Sequence, residues 1–268
     1  MKRIAILCGL LGALLCLFLY GVLLYPHGGE LPSAASLEPP SAGHWLGTDS
    51  LGIDIFAQIS RGFFHSMTIG LSTALIAFLL GGTLGVAAGY LGGWVDLAVE
   101  FLINVFLSVP QLPIMIVIGA FWGQSRWHII CIIAAFSWAP IAKQVRARTM
   151  ALRETDYLRL ARSYGGGLWY LFWTHMSREI LPLLAVGAIG VVGRAIVQES
   201  SLAFLGLSDP LAKSWGLMIA RCTGFRGIYF TPFWRWWLLP PVVSLVVSVV
   251  LLRLLARALE RNLLEEWK

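Results

Sequence analysis

An all-α integral membrane protein of about six transmembrane helices is the fold class this sequence predicts, and three observations predict it. The 268 residues are 58% hydrophobic and only 13% charged, with 12 Trp, and mean hydropathy is +0.77, well outside the composition of soluble domains. Apolar runs close to the roughly 20 residues that cross a bilayer recur about six times along the chain. Basic residues gather in the connections that fall on one side of those runs.

The first run, Ile4 to about Tyr25, follows Met1-Lys2-Arg3. It is longer than the apolar core of a signal peptide, and Pro26-His27-Gly28-Gly29 follows it in place of a small-residue cleavage site. Residues 1–25 are therefore expected to be an uncleaved first helix that starts in the cytoplasm. Residues 26–65 are expected to form an external segment, carrying Glu30, Glu38, Asp49 and Asp54 against Arg61. The rest, 66–268, reads as a five-helix core with spans near 67–90, 98–122, 127–143, 181–203 and 238–258. It holds a cytoplasmic loop at 144–180 and an external loop at 204–237. Lys143, Arg146, Arg148, Arg153, Arg159 and Arg162 crowd the connection after the fourth span, and Arg253, Arg257, Arg261 and Lys268 line the C-terminal end. With Lys2 and Arg3 they share one side if the spans number six, which makes both termini cytoplasmic. The 204–237 loop, with Lys213, Arg221, Arg226 and Arg235, departs from this pattern, as long translocated loops do.

Within the spans, Gly81, Gly85, Gly89 and Gly93 repeat every four residues and put a glycine stripe on one helix face. A sliding or dimer contact and ordinary packing inside the chain both fit. Arg194, Gln198 and Glu199 lie in or at the end of the fifth span, where ionisable groups must face protein or water. They fit either a solute or proton pathway or a structural hydrogen bond between helices. Trp234, Trp236 and Trp237 beside Arg235 fit an aromatic interface belt or a ligand cage.

Much chemistry has no signature here. The four cysteines and five histidines are dispersed, so neither a disulfide framework nor a metal site is expected. The nearest approach to a phosphate-binding G-x-x-x-x-G-K-S/T loop is Ala212-Lys213-Ser214, which lacks the glycine, so the chain is not expected to bind nucleotide. H-E-x-x-H and G-x-S-x-G are both missing, and no catalytic residue, cofactor or metal is assigned to this chain. The net charge of +6 would suggest nucleic acid in a soluble domain; in a membrane protein it marks the cytoplasmic side, and no nucleic-acid partner is expected.

One cytoplasmic stretch is too polar to span and too periodic for a plain loop. From Leu152 to Tyr164 the apolar positions Leu152, Tyr157, Leu158, Leu160, Ala161 and Tyr164 recur at helical spacing with arginines between them. The spacing predicts a short amphipathic helix that stops at Gly165, the residue type able to take a left-handed cap. Ala161 and Gly165, four apart, give it a close-approach surface suited to docking on another protein; lipid at the membrane surface is the other partner such a helix fits.

Three segments resemble those of the inner-membrane permease subunits of binding-protein-dependent ABC importers, in particular the C-type subunit of the dipeptide, oligopeptide and nickel group. Tyr157-Leu158-Arg159-Leu160-Ala161-Arg162-Ser163-Tyr164-Gly165, with His175 and Leu181-Pro182 downstream, is similar to that family's cytoplasmic "EAA" loop. His44-Trp45-Leu46-Gly47-Thr48-Asp49-Ser50-Leu51-Gly52-Ile53-Asp54 is similar to its L-G-T-D-x-x-G-x-D segment. Glu199-Ser200-Ser201-Leu202-Ala203-Phe204-Leu205-Gly206-Leu207, followed by Ser214-Trp215-Gly216, is similar to its E-x-S-L-x-F-L-G-L and S-W-G pair. The resemblance implies a type I importer transmembrane fold in a bacterial inner membrane. It also implies a second, B-type permease, two ATPase subunits that hold ATP and Mg, an external solute-binding protein, and uptake of peptides or of nickel and metal-chelate complexes. Glu154, Tyr157, Leu158, Ala161, Arg162 and Gly165 would then form the ATPase-coupling helix, and Gly47, Thr48, Asp49, Gly52 and Asp54 would face the binding protein. An ion-coupled secondary transporter using Arg194 and Glu199 is the alternative from the residues alone.

Overall fold

The computed structural model describes residues 2–266; Lys268, counted above with the basic C-terminal residues, lies outside the described residues. Helix α1 is Lys2–Leu23 and α2 is Ile55–Leu91. Helices α3, Gly93–Ser108, and α4, Gln111–Trp122, meet at a bend of 88°. Then come α5, Arg126–Arg153, the short α6, Asp156–Ser163, and α7, Leu168–Leu171. A π-helical turn at Phe172–Met176 carries α7 into α8, Ser177–Phe204. Helix α9, Trp215–Thr223, and α10, Trp234–Trp237, precede the last helix, α11, Leu239–Glu266. Among the described residues five helical stretches are long and apolar enough to cross a membrane, and six if the bent α3–α4 pair is one span.

The order of spans matches the sequence reading, while their ends do not. The second span starts at Ile55, twelve residues before the expected 67, because Asp54 caps it: the carboxylate accepts the Ala57 N–H at 2.9 Å. Polar Gln58, Ser60 and Ser66 lower the hydropathy of this first part, yet all three are buried and bonded within the protein. The third span is not a straight 98–122 helix. Pro110 has no N–H to donate and holds Val109 extended, so the helix breaks there. The fourth continues ten residues past 143, to Arg153, and the fifth begins with α7 at Leu168. Helical structure therefore continues into the expected cytoplasmic loop 144–180 from both sides, leaving 154–167, with α6 inside it, as the connection between α5 and α7.

Helix α2 is the centre of the packing, with α5 and α8 against it, α1 and α11 on the flank, and α3 along α5. The glycine stripe explains the closest of these contacts. A Cβ on Gly81, Gly85 or Gly89 would stand 2.9, 2.8 or 2.7 Å from the carbonyl oxygens of Trp138, Ala142 and Arg146, successive turns of α5. The stripe is thus spent inside the chain, and Gly93, at the start of α3 with nothing within 4 Å, is not part of it. Lys2 and Arg3 share a cleft with Arg261 and Glu265, so the two ends of the described chain lie together on one face.

Candidate functional site

Helix α6 carries the predicted docking surface, and its ends are built by local bonds. Thr155 is extended and precedes the first turn; its hydroxyl bonds the Leu152 carbonyl. At the other end Gly165 has φ +87°, its N–H bonds the Arg162 carbonyl at 3.0 Å, and the Gly166 N–H bonds Ala161 at 3.1 Å. That pair of bonds is a Schellman motif, as expected of a glycine stop. Gly166 is needed as well, since a Cβ there would stand 2.9 Å from the Ala161 carbonyl.

One side of α6 is anchored and the other is free. Leu158 is 3% exposed and joins the main core. Arg162 lies over the Tyr90 ring, 5.6 Å from its centre, and Arg153 donates to the Tyr90 carbonyl at 3.2 Å. The Tyr157 ring sits 5.9 Å from His175, which also meets Tyr170. Arg159 bonds Glu154 and holds its carboxyl below the usual carboxylate range. The segment is therefore fastened to the ends of α2, α5 and α8 together. Its outer surface is open and mixed: Leu160, Tyr164 and, on α7, Trp169 are 59%, 88% and 76% exposed, beside exposed Asp156, Arg159, Arg162 and Ser163.

At the opposite end of α2, the segment around Gly47–Asp54 is folded on its own hydrogen bonds. Asp49 accepts from the Leu51 and Ile53 N–H groups with one oxygen, at 2.8 and 2.9 Å, and from Gln58 with the other at 2.8 Å. Thr48 donates to the Ala35 carbonyl and accepts the Glu38 N–H. Asp54, besides capping α2, takes Tyr25 at 3.1 Å and the His44 Nδ1 at 2.8 Å. Burial and the Asp54 carboxylate push the Tyr25 hydroxyl up to about 12. Gly47 and Gly52 have φ +72° and +76° and pack against the carbonyls of Glu38 and Ala34.

All five residues expected to face a binding protein are thus buried. The Thr48 hydroxyl and the Asp49 and Asp54 carboxylates turn inward and shape the loop, while Trp45 and Leu51, 46% and 61% exposed, lie on its surface. Trp236 backs onto Gly47 and Trp237 is buried against Phe225, so these two are packing, while Trp234, on the surface, has Arg235 over its ring at 5.8 Å.

Arg194 and Glu199 are not brought together. Glu199 is fully buried and accepts from Ser66 at 3.1 Å and Ser200 at 3.3 Å, tying α8 to α2. Gln198 bonds Gln111 of α4. Arg194 instead lines a cavity with Arg253 and Arg257. The E-x-S-L and S-W-G segments meet directly. Ser214 caps α9, Trp215 donates to the Ile59 carbonyl at 3.0 Å, and Gly216 lies flush on the Ser200 backbone, where a Cβ would overlap Cα by standing at 2.6 Å. Cys222 is buried on α9, and its thiol is pushed up to about 12 by that burial.

Sequence reasoning missed Tyr90, which receives both Arg153 and Arg162; its partners are some sixty or more residues away, and no local pattern marks it. It also missed Arg253 as the neighbour of Arg194, having counted it only as a cytoplasmic basic residue.

Residues 81–265 match the family model described as binding-protein-dependent transport system inner membrane component. The glutathione transport system permease protein GsiD of Pectobacterium atrosepticum is 34% identical over 183 residues, 68% of this chain and 61% of that protein, so the chain spans less than two thirds of its length. The oligopeptide transport system permease protein OppC of Mycobacterium bovis is 33% identical over 83% of this chain and 80% of its own. A putative peptide permease of Brucella suis is 30% identical over 88% and 80%. In fold, the chain is similar to one from inward-facing structures of the MetNI methionine ABC transporter, with a TM-score of 0.56 at 19% identity over 77% of this chain and 94% of that one. With the helical architecture and the apolar spans, these matches place the chain in the family of binding-protein-dependent transport system inner membrane components, as a multi-pass permease subunit of an ABC importer.

Proposed function

We propose that this permease serves an importer of peptides, and that α6 is the element through which partner ATPases drive it. The substrate reading is supported by the peptide, oligopeptide and glutathione permeases among its relatives. Nickel and metal chelates find no such support in those names. The observation that carries the coupling role is the anchoring of α6: a stopped helix with an open face, tied by Arg162 to Tyr90 at the end of α2, by Thr155 to Leu152 of α5 and by Tyr157 to His175 in the turn that leads into α8. A push on that face moves α2, α5 and α8 together, which is what alternating access requires of a drive point.

In this scheme a second, B-type permease completes the pathway. Two ATPase subunits hold ATP and Mg and dock on the α6 face, which lies with the termini toward the cytoplasm. A solute-binding protein meets the opposite face, around Trp45 and Leu51. The chain itself hydrolyses nothing. Arg194 and Glu199, which point to different surroundings, do not make the coupled pair a secondary transporter would need.

The test is uptake by the assembled importer carrying Gly165→Pro or Ala161→Arg. Proline cannot adopt φ +87° and removes the N–H that bonds Arg162; an arginine at 161, where the alanine packs partly buried against the core, lifts α6 off its seat. Both variants are expected to remain in the membrane and to lose solute uptake. Normal uptake by both would refute the coupling assignment, and uptake that collapses with the proton gradient but survives ATP depletion would restore the secondary-transporter reading.

A further inference from the structure

Helices α5, α8 and α11 surround an open cavity of about 390 Å³, within the size range of small-molecule sites. Its charged lining is Arg194 of α8 with Arg253, Arg257 and Glu260 of α11, and Gln144 of α5 adds an amide. Three guanidinium groups therefore face one carboxylate.

Depth makes this arrangement costly. Arg194 is ten residues before the Phe204 end of α8, and Arg253 is fourteen after the Leu239 start of α11. At the rise of an α-helix these are roughly 15 and 21 Å in from those ends, inside a hydrocarbon layer about 30 Å thick. The two arginines are also close to one stretch of α8. An Arg194 terminal nitrogen lies 3.6 Å from the Cβ position of Gly190, and the Arg253 Cγ lies 3.9 Å from that of Gly193. Among the described residues neither arginine makes an ion pair. Glu260 is two turns beyond Arg253, about 10 Å along the helix.

A guanidinium at that depth is retained where it meets water or an anion. Its planar fork suits a carboxylate, which it can take with two parallel hydrogen bonds. We infer that Arg194 and Arg253 form a carboxylate site in the transport cavity, taking the anionic end of the solute as it passes. Three guanidinium groups against one carboxylate suit an anionic ligand, and an acidic side chain of the second permease is the other occupant, which the co-purification below tells apart. The inference rests on the peptide reading given above.

The assembled importer in membrane vesicles can be offered trialanine and its C-terminal amide, with wild type compared to Arg194→Gln, Arg253→Gln and Arg194→Lys. The binding protein is the same throughout, so its own preference cancels. Replacing either arginine by Gln is expected to reduce the acid-over-amide uptake ratio about tenfold, the effect of losing a charge-assisted hydrogen bond, with Arg194→Lys retaining part of the preference because it keeps the charge. If both Gln variants keep the wild-type ratio, the site is refuted while the peptide reading stands. If the Gln variants instead lose the second permease on co-purification, the arginines belong to an inter-subunit ion pair and the inference is overturned. Trialanine that wild type does not take up at all would overturn the peptide reading, and this site with it.

Discussion

Asp54 ties the outer segment to the first turn of α2. One oxygen caps α2 through the Ala57 N–H, and the other accepts from Tyr25 and meets His44, all in a site with 0% exposure. Alanine there removes a helix cap, worth about 0.5–2 kcal/mol. It also strands the buried His44 ring at about 1–3 kcal/mol, while the Tyr25 hydroxyl keeps the Gly43 carbonyl. Asp54→Ala is thus expected to lower the thermal midpoint of the purified protein by several degrees, with Asp54→Asn losing less because its carbonyl oxygen still accepts. A residue that faced a binding protein would behave oppositely, weakening docking at unchanged stability, so a stable Asp54→Ala protein with poor docking would reverse this assignment. The motif was legible as a motif. Its inward orientation was not, because burial depends on Tyr25 and Trp236, one far upstream and one far downstream.

At the scale of the helix, the pairing of α2 with α5 rests on Gly81, Gly85 and Gly89. Added methyls at these positions meet carbonyl oxygens at 2.9, 2.8 and 2.7 Å, and a helical backbone cannot yield as a flexible side chain does. Overpacking of this kind costs about 1–3 kcal/mol, against a gain in helix propensity of up to about 1 kcal/mol on replacing glycine by alanine. Each Gly→Ala change is therefore expected to destabilise the detergent-solubilised protein, and Gly85→Ala with Gly89→Ala more than either. Gly9→Ala and Gly12→Ala on α1, where nothing lies within 4 Å, are the matched controls and should be neutral or slightly stabilising. Equal melting curves for the stripe and control variants would refute the close-packing account. The four-residue period was visible in the sequence, as were the six spans and the Gly165 stop, since each is a local or periodic signal. The limits of the helices were less visible: hydropathy ended the second span at polar residues that the fold satisfies internally, and it passed over Pro110, whose effect is steric and not apolar.

Across the whole molecule, α2 runs from the outer segment to α6. Its 37 residues make a rod of roughly 55 Å that begins on Asp54 of the outer segment and ends at Tyr90, beneath α6. At Tyr90 two independent contacts converge: Arg153 on its carbonyl, and Arg162 over its ring. The carbonyl bond survives any substitution, so the ring contact can be removed alone. A cation over an aromatic face contributes about 0.5–2 kcal/mol, little beside the buried Leu158 that keeps α6 docked, but enough to set how stiffly α6 follows α2. Tyr90→Leu is expected to leave the importer assembled and hydrolysing ATP while the solute carried per ATP falls about two- to tenfold, whereas Tyr90→Phe, which keeps the ring face, should couple as wild type does. Measuring uptake and hydrolysis on the same vesicles separates a loose drive from a dead one. An unchanged ratio in Tyr90→Leu would mean that force enters the spans through α5 and α8 instead, by way of Leu158 and the Tyr157–His175 contact, with α2 merely carried along.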